Sequence, residues 1–283
     1  MSVTSMPTAS RRSPEEQQVR EDLAAVYRIF AARQMDDLIY THISARVPGE
    51  ENHFLINPFG LMYEEVTASN LVKIDLEGNI VEESAYPINY AGFIIHGAVH
   101  EGVPGAHCVI HLHTDSGVAV SCQREGLIDA SQFAMFLPGG VAYHDYEGLA
   151  FNDDEQPRLV ADIGACKALI LRNHGTLTVG ETVAEAFFHM YNLERACRVQ
   201  VLAQAGGQAE MLPIPPEIVA HTRAQKPEGA RLAGIGKLQQ FGEILRLVNG
   251  VVGADGGKEF RGFLVGEGAF QHVTGLEHAP LLL

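Results

Sequence analysis

Cys108-Val109-Ile110-His111-Leu112-His113 is the stretch that decides the fold of this chain. Its apolar and β-branched residues predict a buried β-strand. Because side chains alternate between the two faces of a strand, His111 and His113 lie on the same face. A third histidine follows in Asn173-His174-Gly175. Three protein ligands that leave a position open for water or substrate are typical of a catalytic metal site. We therefore predict that His111, His113 and His174 bind one divalent metal ion.

The composition is that of a globular protein. Of the 283 residues, 46% are hydrophobic and 19% are charged, which is enough apolar sequence for a sizeable core. The formal net charge of −15 argues against nucleic acid as a partner, because phosphate backbones are bound by basic surfaces. The four cysteines form no C-x-x-C pair. Without an apolar N-terminal segment or a run of about 20 apolar residues, we expect a cytoplasmic protein with no secretion signal and no membrane span.

Strand and helix signals alternate along the chain, which indicates an α/β fold with one mixed sheet. Ser13-Pro14-Glu15-Glu16 predicts the start of the first helix, because it combines a capping box with proline at the first helical position. Residues 90–101 predict a helix just before the histidine strand. We expect a mobile tail over residues 1–12, one domain over residues 13–225, and an appendage of unknown role over residues 226–283.

Polar residues elsewhere supply candidates for substrate binding. Thr41-His42-Ile43-Ser44-Ala45-Arg46 places a hydroxyl and an arginine near a helix–strand junction. The arginine suits either a bidentate clamp on a carboxylate or a surface ion pair. Asn57-Pro58-Phe59-Gly60 is either an ordinary turn or a loop whose backbone N–H groups contact an anion. The candidate substrate-binding residues are therefore Ser44, Arg46, Asn57 and Gly60.

Histidine and tyrosine side chains supply candidates for proton transfer. His96 and His100 are four residues apart in the predicted helix, so they share a face. His96 suits a proton-transfer group or a fourth metal ligand, and both residues also suit hydrogen-bonded histidines of a half-buried helix. Tyr143 and His144 belong to a polar cluster in a predicted loop. The candidate catalytic residues are His96, Tyr143 and His144.

In their order and spacing, these motifs resemble the class II aldolase/adducin family over about residues 15–210. The resemblance rests on the following motifs: Thr41-His42-Ile43-Ser44-Ala45-Arg46, Asn57-Pro58-Phe59-Gly60, the helix with His96, His111-Leu112-His113 and Arg172-Asn173-His174-Gly175. It implies a three-layer α/β/α fold with a central mixed, largely antiparallel sheet, and a homotetramer with sites near subunit interfaces. The sugar-phosphate aldolases of this family bind zinc with three such histidines, so the resemblance implies zinc, with manganese or iron as alternatives.

The chain departs from the sugar-phosphate aldolases at several positions. Those enzymes have a catalytic glutamate four residues before the histidine that matches His96, and Gly92 stands there instead. Pro87-Ile88-Asn89 replaces a Pro-Ser-Ser stretch that helps to bind substrate phosphate, and Thr41-His42 replaces a Gly-Asn pair. Three motifs are closer to the adducin-like branch of the family. Eukaryotic adducins serve the cytoskeleton and have lost metal histidines, whereas this chain keeps all three.

Three functions are compatible with these features. The first is a metal-dependent lyase that cleaves a C–C bond of a small carboxylate, as an aldolase or a decarboxylase, through an enolate that the metal stabilises. The second is a non-haem iron oxygenase on the same three histidines, although the common facial triad has two histidines and one carboxylate. The third is a non-catalytic, adducin-like assembly module without a tightly bound metal. Because Gly92 replaces the glutamate, we expect negligible turnover of fuculose or ribulose phosphates.

Overall fold

A computed structural model describes residues 12–148, 153–206 and 211–225. The helices are α1 (Pro14–Ala32), α2 (Tyr90–Gly102), α3 (Asp115–Ser121), α4 (Gln132–Met135), α5 (Gln156–Ile163), α6 (Val183–Gln204) and α7 (Pro216–Ala224). The strands are β1 (His42–Arg46), β2 (Phe54–Ile56), β3 (Val72–Ile74), β4 (Cys108–Leu112), β5 (Val141–His144), β6 (Ala168–Leu171) and β7 (Gly175–Gly180). The expected appendage, and all but the last residue of the expected tail, lie outside the described residues.

The strands form one sheet in the order β3-β2-β1-β4-β7-β6-β5. Neighbouring strands pair antiparallel, except for β5 and β6, which are parallel. This sheet is mixed and largely antiparallel, as the family resemblance implies. The histidine strand β4 lies at the centre of the order, with β1 on one side and β7 on the other.

Helices cover both faces of the sheet. On one face, α2 and α5 pack on Val109, Leu169 and Leu177. On the other face, residues of α3 and α6 pack on Ala168 and Ile170. Alternate residues of β6 thus face opposite helical layers, which is the pattern of a strand buried on both sides. The three-layer α/β/α architecture is confirmed.

The ends of the helices follow local capping signals. The side chain of Ser13 accepts a hydrogen bond from the N–H of Glu16 (3.0 Å), and Pro14 is the first residue of α1. Thr114 caps α3 in the same way, through the N–H of Gly117 (3.1 Å). These bonds satisfy donors that the first helical turn leaves free. Among the described helices, none combines the length and the apolar character that a membrane crossing requires.

The register of β1 against β4 decides which residues lie near the predicted metal ligands. His42 is the direct partner of His111, and Ala45 is the partner of Cys108. Arg46 therefore lies at the opposite end of β1, about 13 Å along the strand from His42 at the usual rise per residue. The pairing of Ser44 with Ile56 brings the loop after β2 to the His42 end.

Candidate metal centre

His111, His113 and His174 form a cluster at one end of the sheet. One ligand atom of each lies within 4.8 Å of the others. The ring centroids are 4.7 Å apart for His111 and His113, and 4.8 Å apart for each of the two pairs with His174. His111 is buried, and the other two rings are half-buried. The structure thus brings the three predicted ligands together.

A tight turn between β6 and β7 positions His174. Asn173 has a φ of 58°, in the left-handed region that asparagine tolerates better than most residues. A Cβ atom on Gly175 would lie 2.5 Å from the carbonyl oxygen of Leu112 and 2.9 Å from the ring of His113. Only glycine therefore allows β7 to approach β4 this closely beside the ligands.

Hydrogen bonds orient two of the three rings. Nδ1 of His111 donates to the carbonyl oxygen of Thr176 (3.0 Å), which can only accept. Nδ1 of His113 lies 3.1 Å from Oδ2 of Asp37, which accepts when ionised. A neutral imidazole carries a single N–H, so the Nε2 atom of His111 carries a lone pair. Carbonyl and carboxylate partners of this kind are usual behind metal-bound histidines.

The two Nε2 atoms of His111 and His113 lie 2.9 Å apart. At this distance the lone pair of His111 either accepts a hydrogen bond from Nε2 of His113 or shares a cation with it. Nitrogen ligands of a tetrahedral zinc ion are separated by about 3.3 Å, a similar distance. The donor set therefore fits a divalent metal ion.

Burial keeps His111 and His174 in the neutral state that metal binding requires. The pKa of His111 lies well below its usual value of 6.5, chiefly because burial disfavours the cation, and next because of His174 and His113. Burial, followed by the charge of His113, also lowers the pKa of His174 to about 4. These rings remain available as ligands well below neutral pH.

A buried carboxylate on α6 connects the segments that carry the ligands. Glu194 accepts hydrogen bonds from the hydroxyls of Thr114, Ser116 (3.3 Å) and Thr176 (2.8 Å). Thr114 directly follows His113, and the carbonyl of Thr176 is the one that orients His111. Burial raises the pKa of Glu194 above its usual value. No sequence motif points to this residue, because its three partners come from distant positions.

Ser44 lies between two histidines of α2. Its Oγ is 2.6 Å from Nδ1 of His96 and 2.7 Å from Nε2 of His100. All three side chains are buried. The structure thus places the predicted substrate-binding residue Ser44 against the predicted catalytic residue His96. The hydroxyl of Ser44 is hydrogen-bonded to the rings of His96 and His100.

His42 is a candidate that the sequence patterns do not single out. Its ring is 3% exposed, and no described residue pairs with either ring nitrogen. Burial lowers its pKa to about 4, with a smaller contribution from His113. A Cβ atom on Gly92 would lie 2.4 Å from Cε1 and Nδ1 of this ring. The imidazole of His42 therefore fills the space that any side chain at position 92 would need.

The other predicted substrate ligands lie at both ends of the sheet. The guanidinium of Arg46 donates to the backbone carbonyls of Glu51 and His100 (2.7 Å for His100), at the end far from His111. Asn57 is buried, with Oδ1 2.9 Å from the hydroxyl of Tyr27. Gly60 is exposed and has a φ of 94°. The loop with Asn57 and Gly60 lies at the histidine end, and Arg46 does not.

Tyr143 and His144 lie on β5, at the edge of the sheet. The hydroxyl of Tyr143 accepts a hydrogen bond from the N–H of Leu127 (3.0 Å). His144 bonds through Nδ1 to Asp162 (2.7 Å) and through Nε2 to Glu155 (3.1 Å). Across the described ranges, no hydrogen bond or ring contact joins these two residues to the three clustered histidines. The structure does not bring them to the candidate metal centre.

Comparisons with known proteins agree with this geometry. A family model described as the Class II Aldolase and Adducin N-terminal domain matches residues 21–201. A solved aldolase II superfamily protein from Pseudomonas syringae is 47% identical, with a TM-score of 0.75 over 81% of this chain and 95% of that one. L-fuculose 1-phosphate aldolase from Glaciozyma antarctica is 30% identical, with a TM-score of 0.73 over 87% of this chain and 96% of that one. Alpha-adducin of Mus musculus is 46% identical over 71% of this chain but only 28% of its own length.

Proposed function

The chain belongs to the class II aldolase and adducin family, and from this premise we propose that it is a metal-dependent lyase. Its substrate is a small carboxylate, in which an aldolase or decarboxylase reaction breaks a C–C bond. The cluster of His111, His113 and His174 supports this proposal most strongly, because one ligand atom of each ring lies within 4.8 Å of the others. These residues would hold zinc, or else manganese or iron. When bound, the metal supplies Lewis acidity, which stabilises the negative charge of an enolate.

The surrounding residues are assigned by their place in the structure. His96 is buried, and no described residue pairs with its Nε2 atom, so we assign proton transfer to it. Tyr143 and His144 are less suited, because their polar atoms are bonded elsewhere. The exposed backbone at Gly60 lies at the histidine end of the sheet, so we assign binding of the substrate carboxylate to the loop of Asn57 and Gly60. Arg46 is too far along β1 for this role.

The assembly is also part of the proposal. Class II aldolase folds are commonly oligomeric and act on small molecules, and we propose a homotetramer in the cytoplasm. A non-catalytic assembly module is the second candidate, because 46% identity links the chain to alpha-adducin. That candidate predicts no tightly bound metal, and it predicts that His111→Ala leaves the biological role intact. The orientation of the His111 and His113 rings towards a common point favours the enzyme.

The proposed activity is tested with metal-loaded protein and small 2-oxo, 2-hydroxy and aromatic acids. The readout is release of carbon dioxide or of an aldehyde, and a His111→Ala/His113→Ala variant is the control. Turnover that requires both the metal and the histidines would support a lyase. The oxygenase would be supported instead if the iron-loaded protein consumed oxygen in air and released neither product under anaerobic conditions. Absence of turnover in both assays would favour the assembly module.

We expect negligible cleavage of L-fuculose 1-phosphate. Gly92 carries no carboxylate, and Pro87-Ile88-Asn89 offers no serine hydroxyl for a phosphate. The measurement is release of triose phosphate by the metal-loaded protein, with the Glaciozyma antarctica enzyme as positive control because it bears the name of that activity. A rate similar to that of the control would contradict our interpretation of these positions.

A further inference from the structure

A chain of hydrogen bonds runs from the backbone to the ring of His96. Nδ1 of His100 lies 2.7 Å from the carbonyl oxygen of Ala106. Nε2 of His100 lies 2.7 Å from Oγ of Ser44, which in turn lies 2.6 Å from Nδ1 of His96. All four residues are buried. This series of hydrogen bonds runs from the loop before β4 to α2, then to β1, and back to α2.

The carbonyl of Ala106 determines the direction of every bond in this chain. It can only accept, so His100 carries its proton on Nδ1. Burial lowers the pKa of His100 to about 3, so this ring is neutral and its Nε2 is a lone pair. Ser44 must donate its single hydroxyl proton to that lone pair. The oxygen of Ser44 then accepts from Nδ1–H of His96, and the lone pair of His96 is on Nε2.

The ring of His96 lies beside the ring of His42, whose nitrogens have no hydrogen-bond partner among the described residues. The centroids of His42 and His96 are 6.0 Å apart, with the rings nearly perpendicular. Nε2 of His96 and both ring nitrogens of His42 are buried, and no described residue pairs with them. His42 is the direct strand partner of His111, and the ring of His96 contacts that of His42, so both rings lie on the side of the metal centre. Buried polar atoms normally have hydrogen-bond partners, so three such atoms beside one another indicate a ligand.

We propose that Ala106, His100 and Ser44 are positioning residues that hold His96 as the Nδ1–H tautomer, so that its Nε2 lone pair and His42 form a subsite for a substrate hydroxyl. That this ligand is part of the substrate rests on the proposed function, whereas the tautomer of His96 does not. A lone pair binds a hydrogen-bond donor and disfavours a carboxylate. Together with a carboxylate bound elsewhere, the subsite therefore points to hydroxy acids as the substrate class.

Nuclear magnetic resonance of the ¹⁵N-labelled, metal-free protein tests the tautomer. Two-bond couplings between carbon-bound protons and ring nitrogens show which nitrogen is protonated. We expect Nδ1–H at both His96 and His100. In Ser44→Ala, His96 should change to Nε2–H, the form that free imidazole prefers in water, while His100 keeps Nδ1–H through Ala106. Ser44→Thr retains a hydroxyl and should retain the wild-type pattern. Protonated Nε2 at His96 in the wild type would overturn the proposal, even if neither variant folds.

Binding of hydroxy acids to the metal-loaded protein tests the subsite. The probes are 3-hydroxybutyrate and butyrate, which differ by one hydroxyl. We expect the wild type to prefer 3-hydroxybutyrate by about tenfold, the usual size of one hydrogen bond, and Ser44→Ala to lose most of this preference while binding butyrate unchanged. Chelation of the metal by the hydroxyl does not explain such a loss, because the variant keeps all three metal ligands. An unchanged preference would overturn the subsite. Failure to bind metal would contradict the proposed function and leave the tautomer result standing.

Discussion

Replacement of Gly175 by alanine is expected to abolish tight metal binding and to lower the free energy of unfolding by about 3 kcal/mol. The new Cβ would lie 2.5 Å from the carbonyl oxygen of Leu112, a backbone atom of β4 that no side-chain rotation can move. Relief requires β4 and β7 to separate where Leu112 pairs with Thr176, next to His113. The two measurements are chemical denaturation and competition for the metal with a chelator.

Gly206→Ala is the matched control for this substitution. A Cβ atom at Gly206 meets nothing within 4 Å, so both the stability and the metal affinity should match those of the wild type. If Gly175→Ala bound metal as tightly as Gly206→Ala, the close approach of β7 to β4 would not be what positions the ligands.

Replacement of Glu194 by alanine is the second substitution with a large expected effect. It leaves the hydroxyls of Thr114, Ser116 and Thr176 without their acceptor and creates a cavity beside α6, where the side chain was packed. Together these changes should cost about 3 kcal/mol of stability. Because the bonds of Glu194 hold the residues beside His111 and His113, the metal affinity should fall at least about tenfold, as for other groups that support ligands.

Glu194→Gln separates the shape of this side chain from its charge. Glutamine fills the same space and keeps a carbonyl oxygen as an acceptor, so most of the stability and metal affinity should remain. Burial raises the pKa of Glu194 in the folded protein above its usual value of 4.5. Between that pH and the folded pKa, the folded state therefore binds more protons than the unfolded state. The stability of the wild type should therefore fall relative to Glu194→Gln as the pH rises through the folded pKa. Equal losses in both variants at neutral pH would contradict this account.

Local patterns in the sequence predicted the parts of the structure that depend on near neighbours. The alternation around His111-Leu112-His113 correctly indicated a buried strand with both rings on one side, because a period of two is a property of the strand itself. The serine cap and first-turn proline at Ser13 and Pro14 correctly placed the start of α1. The three predicted ligands could be chosen because imidazole pairs are rare in apolar strands and the turn of Asn173 and Gly175 supplies the third ring.

Other features of the site depend on which strands and helices are neighbours, which local patterns do not reveal. His42 became visible as a candidate site residue only once β1 was placed beside β4 in the register that pairs His42 with His111. Asp37 and Glu194 reach the site from a loop and from a distant helix. Arg46 has suitable chemistry for a carboxylate clamp, but the same register puts it at the opposite end of the sheet. The chemistry of a residue could be predicted from the sequence, whereas its position relative to the candidate site could be determined only from the fold.

Elemental analysis of the purified protein tests the central claim most directly, beside a His111→Ala/His113→Ala variant whose folding is checked by circular dichroism. The account predicts about one equivalent of a divalent metal in the wild type, zinc first, and none in the folded variant. Manganese would leave the lyase proposal intact, and iron would favour the oxygenase. Absence of bound metal from the wild type, even after reconstitution with zinc, manganese and iron, would contradict the account and leave the assembly module as the function of this chain.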